Sequence, residues 1–296
     1  MNTSKLKWSI VLPSYNNYTE VYFTVQSLRL YHNLRNCEIV VVDNFGDIEL
    51  EKFIKEKGCG VVRYEKYTEI TGVSAAKNHG IAVSRGEFIL CMDSHCLIRP
   101  GTLDGSPWSD DLVQGPNLFN NMIDHRFEWL PQWRSGMWGI WAPGIVRPED
   151  FEALEEHCKK EIAVKMFKEE IKICALPTDP FEIWAMGAGF FACRRESWLG
   201  FNPNFRGFGG ETGYLQEKYR KAGRKVWCDP RMEWVHYFCN IGRTIPFPCP
   251  MIDRVRNYLI GFAELGIDTK EMESHFASPM MKMQHGNIIE KAKAAI

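Results

Sequence analysis

The sequence predicts an α/β fold built on an open, mostly parallel sheet. Three observations predict it. The first 95 or so residues alternate strand and helix four times. Glu38-Ile39-Val40-Val41-Val42 is β-branched and apolar on both faces, as a buried parallel strand should be. Polar residues gather just past the apolar runs, at Pro13-Ser14-Tyr15-Asn16, Asp43-Asn44 and Asp93-Ser94-His95, where sheets of this kind bind ligands.

Each element has a local reason. Trp8 to Leu12 is a short apolar run ended by Pro13. Asn16 or Asn17 can cap a helix with Val21, Val25 and Leu28 on one face. A charged helix from about Ile48 to Lys57 ends at Gly58. Val61 to Tyr64 reads as a strand. Thr71 can cap a helix whose stripe is Val73, Ala76, Gly80 and Val83. Gly80 costs that helix about 1 kcal/mol relative to Ala, which a close approach to the sheet would explain. Glu87 to Met92 is the fourth strand.

Residues 100–145, rich in Gly, Pro and Trp, look less regular. Pro148 to about Cys174 reads as one long helix with Phe151, Leu154, Cys158, Ile162 and Met166 on a stripe, and with Glu156/Lys160 and Glu161/Lys165 as i,i+4 pairs. Gly189 to Cys193 is a strand, Gly210 to Ala222 a helix stopped by Gly223, and Lys225–Cys228 and Glu233–His236 short strands. A last helix runs from about Met251 to Leu265. With no repeat and no low-complexity linker, residues 1–296 are expected to form a single domain. Its parts are taken as residues 1–99, residues 100–240, and a loop with C-terminal helices (241–296).

Composition sets outer bounds. The chain has 296 residues, 45% hydrophobic and 25% charged, which excludes disordered, collagen-like and coiled-coil classes. Lys+Arg is 36 against Asp+Glu 37, so no basic surplus supports nucleic acid or an anionic membrane as partner. No apolar run reaches the roughly 18–20 residues of a membrane span, and the N-terminus lacks the apolar core of a signal peptide. A cytoplasmic location is therefore expected. The 10 cysteines lack Cys-x-x-Cys pairs, and Cys37, Cys91 and Cys193 lie in apolar stretches as buried thiols.

Asp93-Ser94-His95 is the sharpest local feature. Positions i and i+2 in extended chain point the same way, so both side chains can reach one divalent cation. A turn Asp with a surface His is the plainer reading, and Cys91 and Cys96 alongside make a Cys/His zinc site imaginable. His236 is a second candidate ligand at the end of a short strand. Phe208-Gly209-Gly210-Glu211-Thr212 opens a helix, and its glycines allow a ligand close to the backbone. Met186-Gly187-Ala188-Gly189 is either tight strand packing or the floor of a sugar site. Pro-Ser-Tyr-Asn-Asn after the first strand is not G-x-G-x-x-G, and P-loop, H-E-x-x-H and G-x-S-x-G patterns are absent.

Together these residues resemble glycosyltransferases of the GT-A fold, a Rossmann-like, mostly parallel sheet flanked by helices. Val11 to Asn17 resembles the opening strand and turn of the family 2 enzymes, which include cellulose and chondroitin synthases. Val41-Val42-Asp43-Asn44 is similar to the strand whose Asp contacts the nucleotide base. Gly72 to Gly80 resembles G-x-[SA]-x-A-[RK]-N-x-G, and Asp93-Ser94-His95 stands at the D-x-D metal motif. The second half is closer to the catalytic domain of polypeptide N-acetylgalactosaminyltransferases: Asp93-Ser94-His95-Cys96 for D-x-H-C, the 186–191 small-residue strand, Gly209-Gly210-Glu211-Thr212 for G-G-E-N, His236 for a third metal ligand, and Arg256-Asn257 with Ala263-Glu264 for a later helix. The loop Tyr237–Arg243 departs from that pattern.

The resemblance implies transfer of a sugar from a nucleotide diphosphate sugar, most simply a UDP-sugar, to an acceptor hydroxyl. A divalent metal, Mn²⁺ before Mg²⁺, would be held by Asp93, His95 and His236. Pro13, Tyr15, Asn16 and Asp43 would hold base and ribose, with Asp43 accepting from uracil N3–H. Lys77 would lie near ribose or phosphate, and Gly187 and Gly189 near the sugar. Glu211 would bind sugar or acceptor, or act as base. Trp129, Trp133, Trp138 and Trp141 are either core residues or stacking faces. Because Thr212 replaces a second acid, retention of configuration is expected, with Glu211 as base for the inverting alternative. A sugar nucleotidyltransferase and a noncatalytic carbohydrate-binding protein remain the rival readings.

Overall fold

The structure is a computed structural model, which describes residues 6–58, 60–105, 107–119, 123–237 and 244–296. The first third is β1 (Trp8–Ser14), α1 (Tyr18–Tyr31), β2 (Cys37–Asp43), α2 (Ile48–Lys57), β3 (Val62–Lys66), α3 (Val73–Ala82) and β4 (Phe88–Met92). These four strands are parallel in the order β4-β1-β2-β3. Their apolar runs form the centre of the sheet, where every residue of β2 and β4 is buried. Pro13 lies inside β1, not beyond it. Pairing with β4 stops at Val11, so the proline meets only β2, at a frayed strand end that tolerates a missing N–H.

Helix starts follow local chemistry. Asp47 caps α2 by accepting from the N–H groups of Glu49 and Leu50. Gly72, not Thr71, is the N-cap of α3. Gly80 lets α3 lie on the sheet: a Cβ there would stand 2.5 Å from Val11 Cγ1 and 2.7 Å from Val42 Cγ2.

Residues 96–146, which include the stretch 100–145 expected to be less regular, are rich in strands: β5 (Cys96–Ile98), β6 (Leu112–Gln114), β7 (Asn117–Phe119), β8 (Asp124–Arg126), β9 (Trp129–Arg134), β10 (Met137–Trp141) and β11 (Gly144–Val146). The expected long helix is two, α4 (Pro148–Glu152) and α5 (Glu156–Phe167), followed by β12 (Ile171–Ile173). Glu155 is extended and restarts the helix; Glu169, at φ 58°, turns the chain so that β12 pairs with β11. Of the proposed stripe Ile162 is buried, with Phe151 and Leu154 packed beside it, whereas Met166 is exposed. Lys159 pairs with Glu152 and Glu156 on the charged face.

The rest comprises β13 (Phe181–Glu182), β14 (Phe190–Arg194), α6 (Glu211–Lys221), β15 (Val226–Cys228), β16 (Trp234–His236), α7 (Met251–Leu265), α8 (Lys270–Phe276), α9 (Pro279–His285) and α10 (Ile288–Lys293). β14 adds antiparallel to β4, completing an eight-stranded sheet in the order β13-β15-β6-β14-β4-β1-β2-β3. A second sheet runs β12-β11-β8-β7-β16-β5. Helices α8 to α10 pack on α7, and Trp133 and Trp138 belong to that cluster with Tyr258, Phe262 and Phe276. They are core residues, whereas Trp129 and Trp141 meet edge to face at 5.3 Å. Cys37, Cys91 and Cys193 are buried free thiols; burial pushes Cys91 and Cys193 up to about 12. Among the described residues no helix is long and apolar enough to cross a membrane.

Gly80→Ala tests the helix–sheet contact. Helix propensity would gain about 1 kcal/mol, but the methyl meets two fully buried valines, and overpacking typically costs about 1–3 kcal/mol. Net destabilisation in urea unfolding is the expected result; a stabilised variant would contradict the contact.

Candidate metal centre and adjoining cleft

Asp93 and His95 lie in the turn between β4 and β5. His236 ends β16, whose antiparallel pairing with β5 sets His236 opposite Cys96. That register brings together residues 141 positions apart. His95 Nε2 and His236 Nε2 stand 3.1 Å apart, and Asp93 Oδ2 lies 3.9 and 3.8 Å from them. One ligand atom from each residue falls within 4.8 Å of the others. Two imidazole nitrogens at this distance can share at most one hydrogen, and a cation answers both together with the carboxylate. The oxygen and nitrogen donor set fits a borderline divalent ion. On the other side of the His95 ring, Nδ1 faces Glu20 Oε2 at 3.6 Å, outside hydrogen-bond reach. Neither Cys91 nor Cys96 joins the cluster; Cys96 Sγ faces the Gly189 carbonyl.

Asp93 is locked from behind. Burial alone would raise its carboxyl, but the Lys77 ammonium, then His236 and His95, hold it well below the usual carboxylate range. Lys77 Nζ sits 2.9 Å from Asp93 Oδ1 and donates to the Ala188 carbonyl at 2.6 Å, with the lysine only 2% exposed. The expected contact of Lys77 with ribose or phosphate is therefore corrected: its ammonium is spent inside the protein. Gly189 serves the same anchoring. Its carbonyl accepts from Asp93 N, and a Cβ there would stand 2.9 Å from Asp93 Oδ2. Gly187 lies against the Trp129 ring instead.

A cleft opens beside this cluster beyond the carboxyl ends of β1, β2 and β4. Pro13, Ser14, Tyr15, Asn17, Asn44, Thr71, Gly72, Asp93, His95, Phe208 and Phe247 are among its walls. Tyr15 meets Phe45 at 5.1 Å and Phe247 at 6.5 Å, and Phe208 meets Phe247 at 5.7 Å, so one rim is aromatic. Pro13 and Tyr15 are among these walls. Asn16 is not: it is exposed at φ 48° and Asn17 faces inward, joining Ser14, Tyr15, Glu20 and Ser94.

Asp43 requires a second correction. It is fully buried, and its carboxylate already accepts from the N–H groups of Phe45, Gly46 and Asp47 and from Tyr64 OH. It shapes the turn after β2 and has no acceptor position left for a base. Its neighbour Asn44, given no role of its own by sequence reasoning, ties the cleft wall: Nδ2 donates to the carbonyls of Tyr67 and Ile70, and Oδ1 accepts from Gly72 N. The Asp-Asn pair at a strand end was the available signal.

Glu211 is buried at the far side. Gly209 and Gly210 take φ of 105° and 97°, and Thr212 and Gly213 are not helical, so Glu211 precedes the true start of the helix. Asn257 of α7 holds this loop by donating to the carbonyls of Arg206 and Gly209. Burial pushes the Glu211 carboxyl up, against the N–H groups of Glu211 and Gly209 and the cations of Lys77 and Arg254. Most of the loop Tyr237–Arg243, residues 238–243, lies outside the described residues.

Comparison with known proteins gives the fold and a family likeness. The model of glycosyl transferase family 2 matches residues 9–105. N-acetylgalactosaminyltransferase 7 of Drosophila melanogaster is 24% identical over 213 residues, covering 67% of this chain and 32% of that protein. Polypeptide N-acetylgalactosaminyltransferase 10 of Homo sapiens is 26% identical over 250 residues, covering 76% and 36%. The chain thus spans about a third of the length of the curated relatives it matches. The crystal structure of GalNAc-T7 with UDP, GalNAc and Mn²⁺ superposes with a TM-score of 0.65 at 17% identity, over 99% of this chain and 55% of that one. The mannosyltransferase PcManGT from Pyrobaculum calidifontis, in complex with GDP-Man and Mn²⁺, gives 0.51 at 14%, over 99% and 74%. The chain has the GT-A fold and resembles the family 2 glycosyltransferases and the catalytic domain of the polypeptide N-acetylgalactosaminyltransferases.

Two results are expected from the electrostatics. Lys77→Met leaves the Asp93 carboxylate without its buried cation and should cost about 3–5 kcal/mol in urea unfolding; a loss below about 1 kcal/mol would show the pair to be unimportant. Glu211 has a folded pKa above its unfolded one, so its contribution is full below the unfolded value, near 4.3, and is lost as pH rises through the folded value. Glu211→Gln should therefore gain thermal stability relative to the parent protein as pH rises from about 4 to 8; a constant difference would contradict the raised value.

Proposed function

We propose that the protein is a metal-dependent glycosyltransferase, moving a sugar from a nucleotide diphosphate sugar to an acceptor hydroxyl. The observation that carries this is the convergence of Asp93, His95 and His236 at the mouth of a cleft beyond the parallel strand ends. Fold and family resemblance favour the same reaction. A divalent ion held by these three residues would neutralise the diphosphate as it departs, worth several kcal/mol; Mn²⁺ is preferred, as both solved neighbours were determined with it. Mg²⁺ suits two imidazole ligands less well.

The cleft's own residues supply the rest. The Tyr15, Phe208 and Phe247 rings offer faces for a base and exclude water. Asn17 and Ser14, at the end of β1, fix the turn on which Tyr15 rides. We take the donor to be a UDP-sugar on the likeness to GalNAc-T7, solved with UDP, since Asp43 no longer supports uracil by direct contact. Lys77 keeps Asp93 ionised and aimed.

Thr212 bears on stereochemistry. Its hydroxyl cannot serve as a base near neutral pH, and Oγ1 accepts from Ala188 N. We propose retention. The C1–phosphate bond breaks, the acceptor oxygen bonds C1 on the same face, and the acceptor proton passes to the departing phosphate oxygen. Glu211 then binds the sugar or acceptor. A UDP-α-sugar gives an α-linked product.

Two measurements decide this. Turnover of a panel of nucleotide sugars should vanish in excess chelator and in Asp93→Ala and His95→Ala, and fall in His236→Ala; full activity with chelator would refute the metal. The anomeric coupling constant of the product by proton NMR should report an α linkage; a β linkage would make Glu211 the base and the enzyme inverting.

A further inference from the structure

Two glutamines with no place in the reaction above connect its two halves. Gln114 ends β6 and Gln216 lies in the second turn of α6; both are fully buried. A buried primary amide has two hydrogens and one oxygen to satisfy, and an unsatisfied one costs about 1–3 kcal/mol. Here both amides are satisfied by the same short strip, Met186–Phe190, by each other and by Gly213. Gln114 Oε1 accepts from Met186 N at 3.1 Å and from Gln216 Nε2 at 2.9 Å. Gln114 Nε2 donates to the carbonyls of Gly187 and Phe190 at 3.2 and 3.1 Å. Gln216 Nε2 also donates to the Met186 carbonyl at 2.9 Å.

The remaining atom, Gln216 Oε1, accepts from Gly213 N at 2.8 Å. This is half of a capping box: a residue three positions into a helix reaches back to the N–H of its first. It marks where regular helix begins in α6 and leaves Glu211 and Thr212 in the segment before it, of which Thr212 is extended. Thr212 Oγ1, at the end of that segment, accepts from Ala188 N at 3.0 Å. On the other side of the strip, Ala188 O accepts from Lys77 and Gly189 O from Asp93 N. Glu211 and Asp93 are thus joined through one strip of backbone, and the amide pair holds that strip against the start of α6.

We propose that Gln114 and Gln216 are positioning residues: their amide pair sets the Glu211 carboxylate at its working distance from Asp93, without touching donor or metal. The inference rests on the proposed sugar transfer, with Glu211 facing sugar or acceptor. A misplacement of about 1 Å in such a site costs roughly a hundredfold in rate. Neither glutamine touches the cleft that would hold the nucleotide, so donor binding should survive.

The test is a double-mutant cycle on the whole chain with Gln114→Leu, Gln216→Leu and the double variant, reading kcat, KM for donor, Mn²⁺ affinity and urea stability. Each single variant strands a buried amide and is destabilised, whereas replacing both partners by apolar groups of similar shape restores much of that loss. If the pair positions Glu211, kcat stays at least about tenfold low in the stable double variant, with KM and Mn²⁺ affinity within about twofold. Recovery of kcat together with stability would show the pair to be packing alone and overturn the inference. A fall in Mn²⁺ affinity at unchanged kcat would overturn it too, by placing the effect on Asp93. A parent protein that turns over no nucleotide sugar overturns the functional reading and this inference with it; the other contrary outcomes, seen beside an active parent, overturn this inference alone.

Discussion

The buried ion pair between Lys77 and Asp93 is the interaction on which the rest of the site depends. A carboxylate that must stay ionised at the edge of an apolar sheet needs a cation beside it, and α3 supplies one from a fully buried position. Lys77 can reach because Gly80 lets α3 settle onto Val11 and Val42. The same ammonium grips Ala188, so the glycine-bordered strip follows Asp93, and Gly189 has room for no side chain. Removing any of these pieces moves the others. A lone buried ion pair is weak evidence for stability; here its geometry leaves Oδ2 facing two imidazoles, which makes it part of the site.

Much of this was legible in the sequence, for identifiable reasons. The helix limits Ile48–Lys57 and Met251–Leu265 matched because a charged run ending at glycine and a Pro-bounded amphipathic run are local signals. Asp93 and His95 were legible as a carboxylate and an imidazole just past a buried strand, although a turn and not the expected extended chain brings them together. His236 was a weaker local inference, a lone histidine ending a short strand; resemblance strengthened it, and the β5–β16 register is what delivers it. Gly80 announced a close approach before its neighbours were known.

What stayed illegible was settled by tertiary packing. Residues 148–174 carry helical charge spacing with no Gly or Pro at the break, so nothing local marks Glu155 as a restart or Ile171–Ile173 as a strand. The short strands of 96–146 are three to six residues long, too short for periodicity to declare them. Asp43 and Lys77 carry the residue types a nucleotide site would use, yet both are consumed internally. Motif matching reports residue type and order, but not whether a carboxylate's acceptor positions are already filled. Gly213 did leave a trace, a glycine near the head of a helix, and marks the break that frees Glu211 from the helix.

The account joins a metal cluster built by strand register, an aromatic cleft at the strand ends, and a carboxylic acid held just ahead of a non-helical step. Its central claim is that Asp93, His95 and His236 bind one divalent ion together. Pulsed electron paramagnetic resonance of the Mn²⁺-loaded protein tests that most directly, because nitrogen couplings from ligating imidazoles appear in the spectrum. The account predicts one bound Mn²⁺ with couplings from two histidines, one lost in His95→Ala and the other in His236→Ala. A bound ion without nitrogen coupling, or couplings that survive both substitutions, would contradict it.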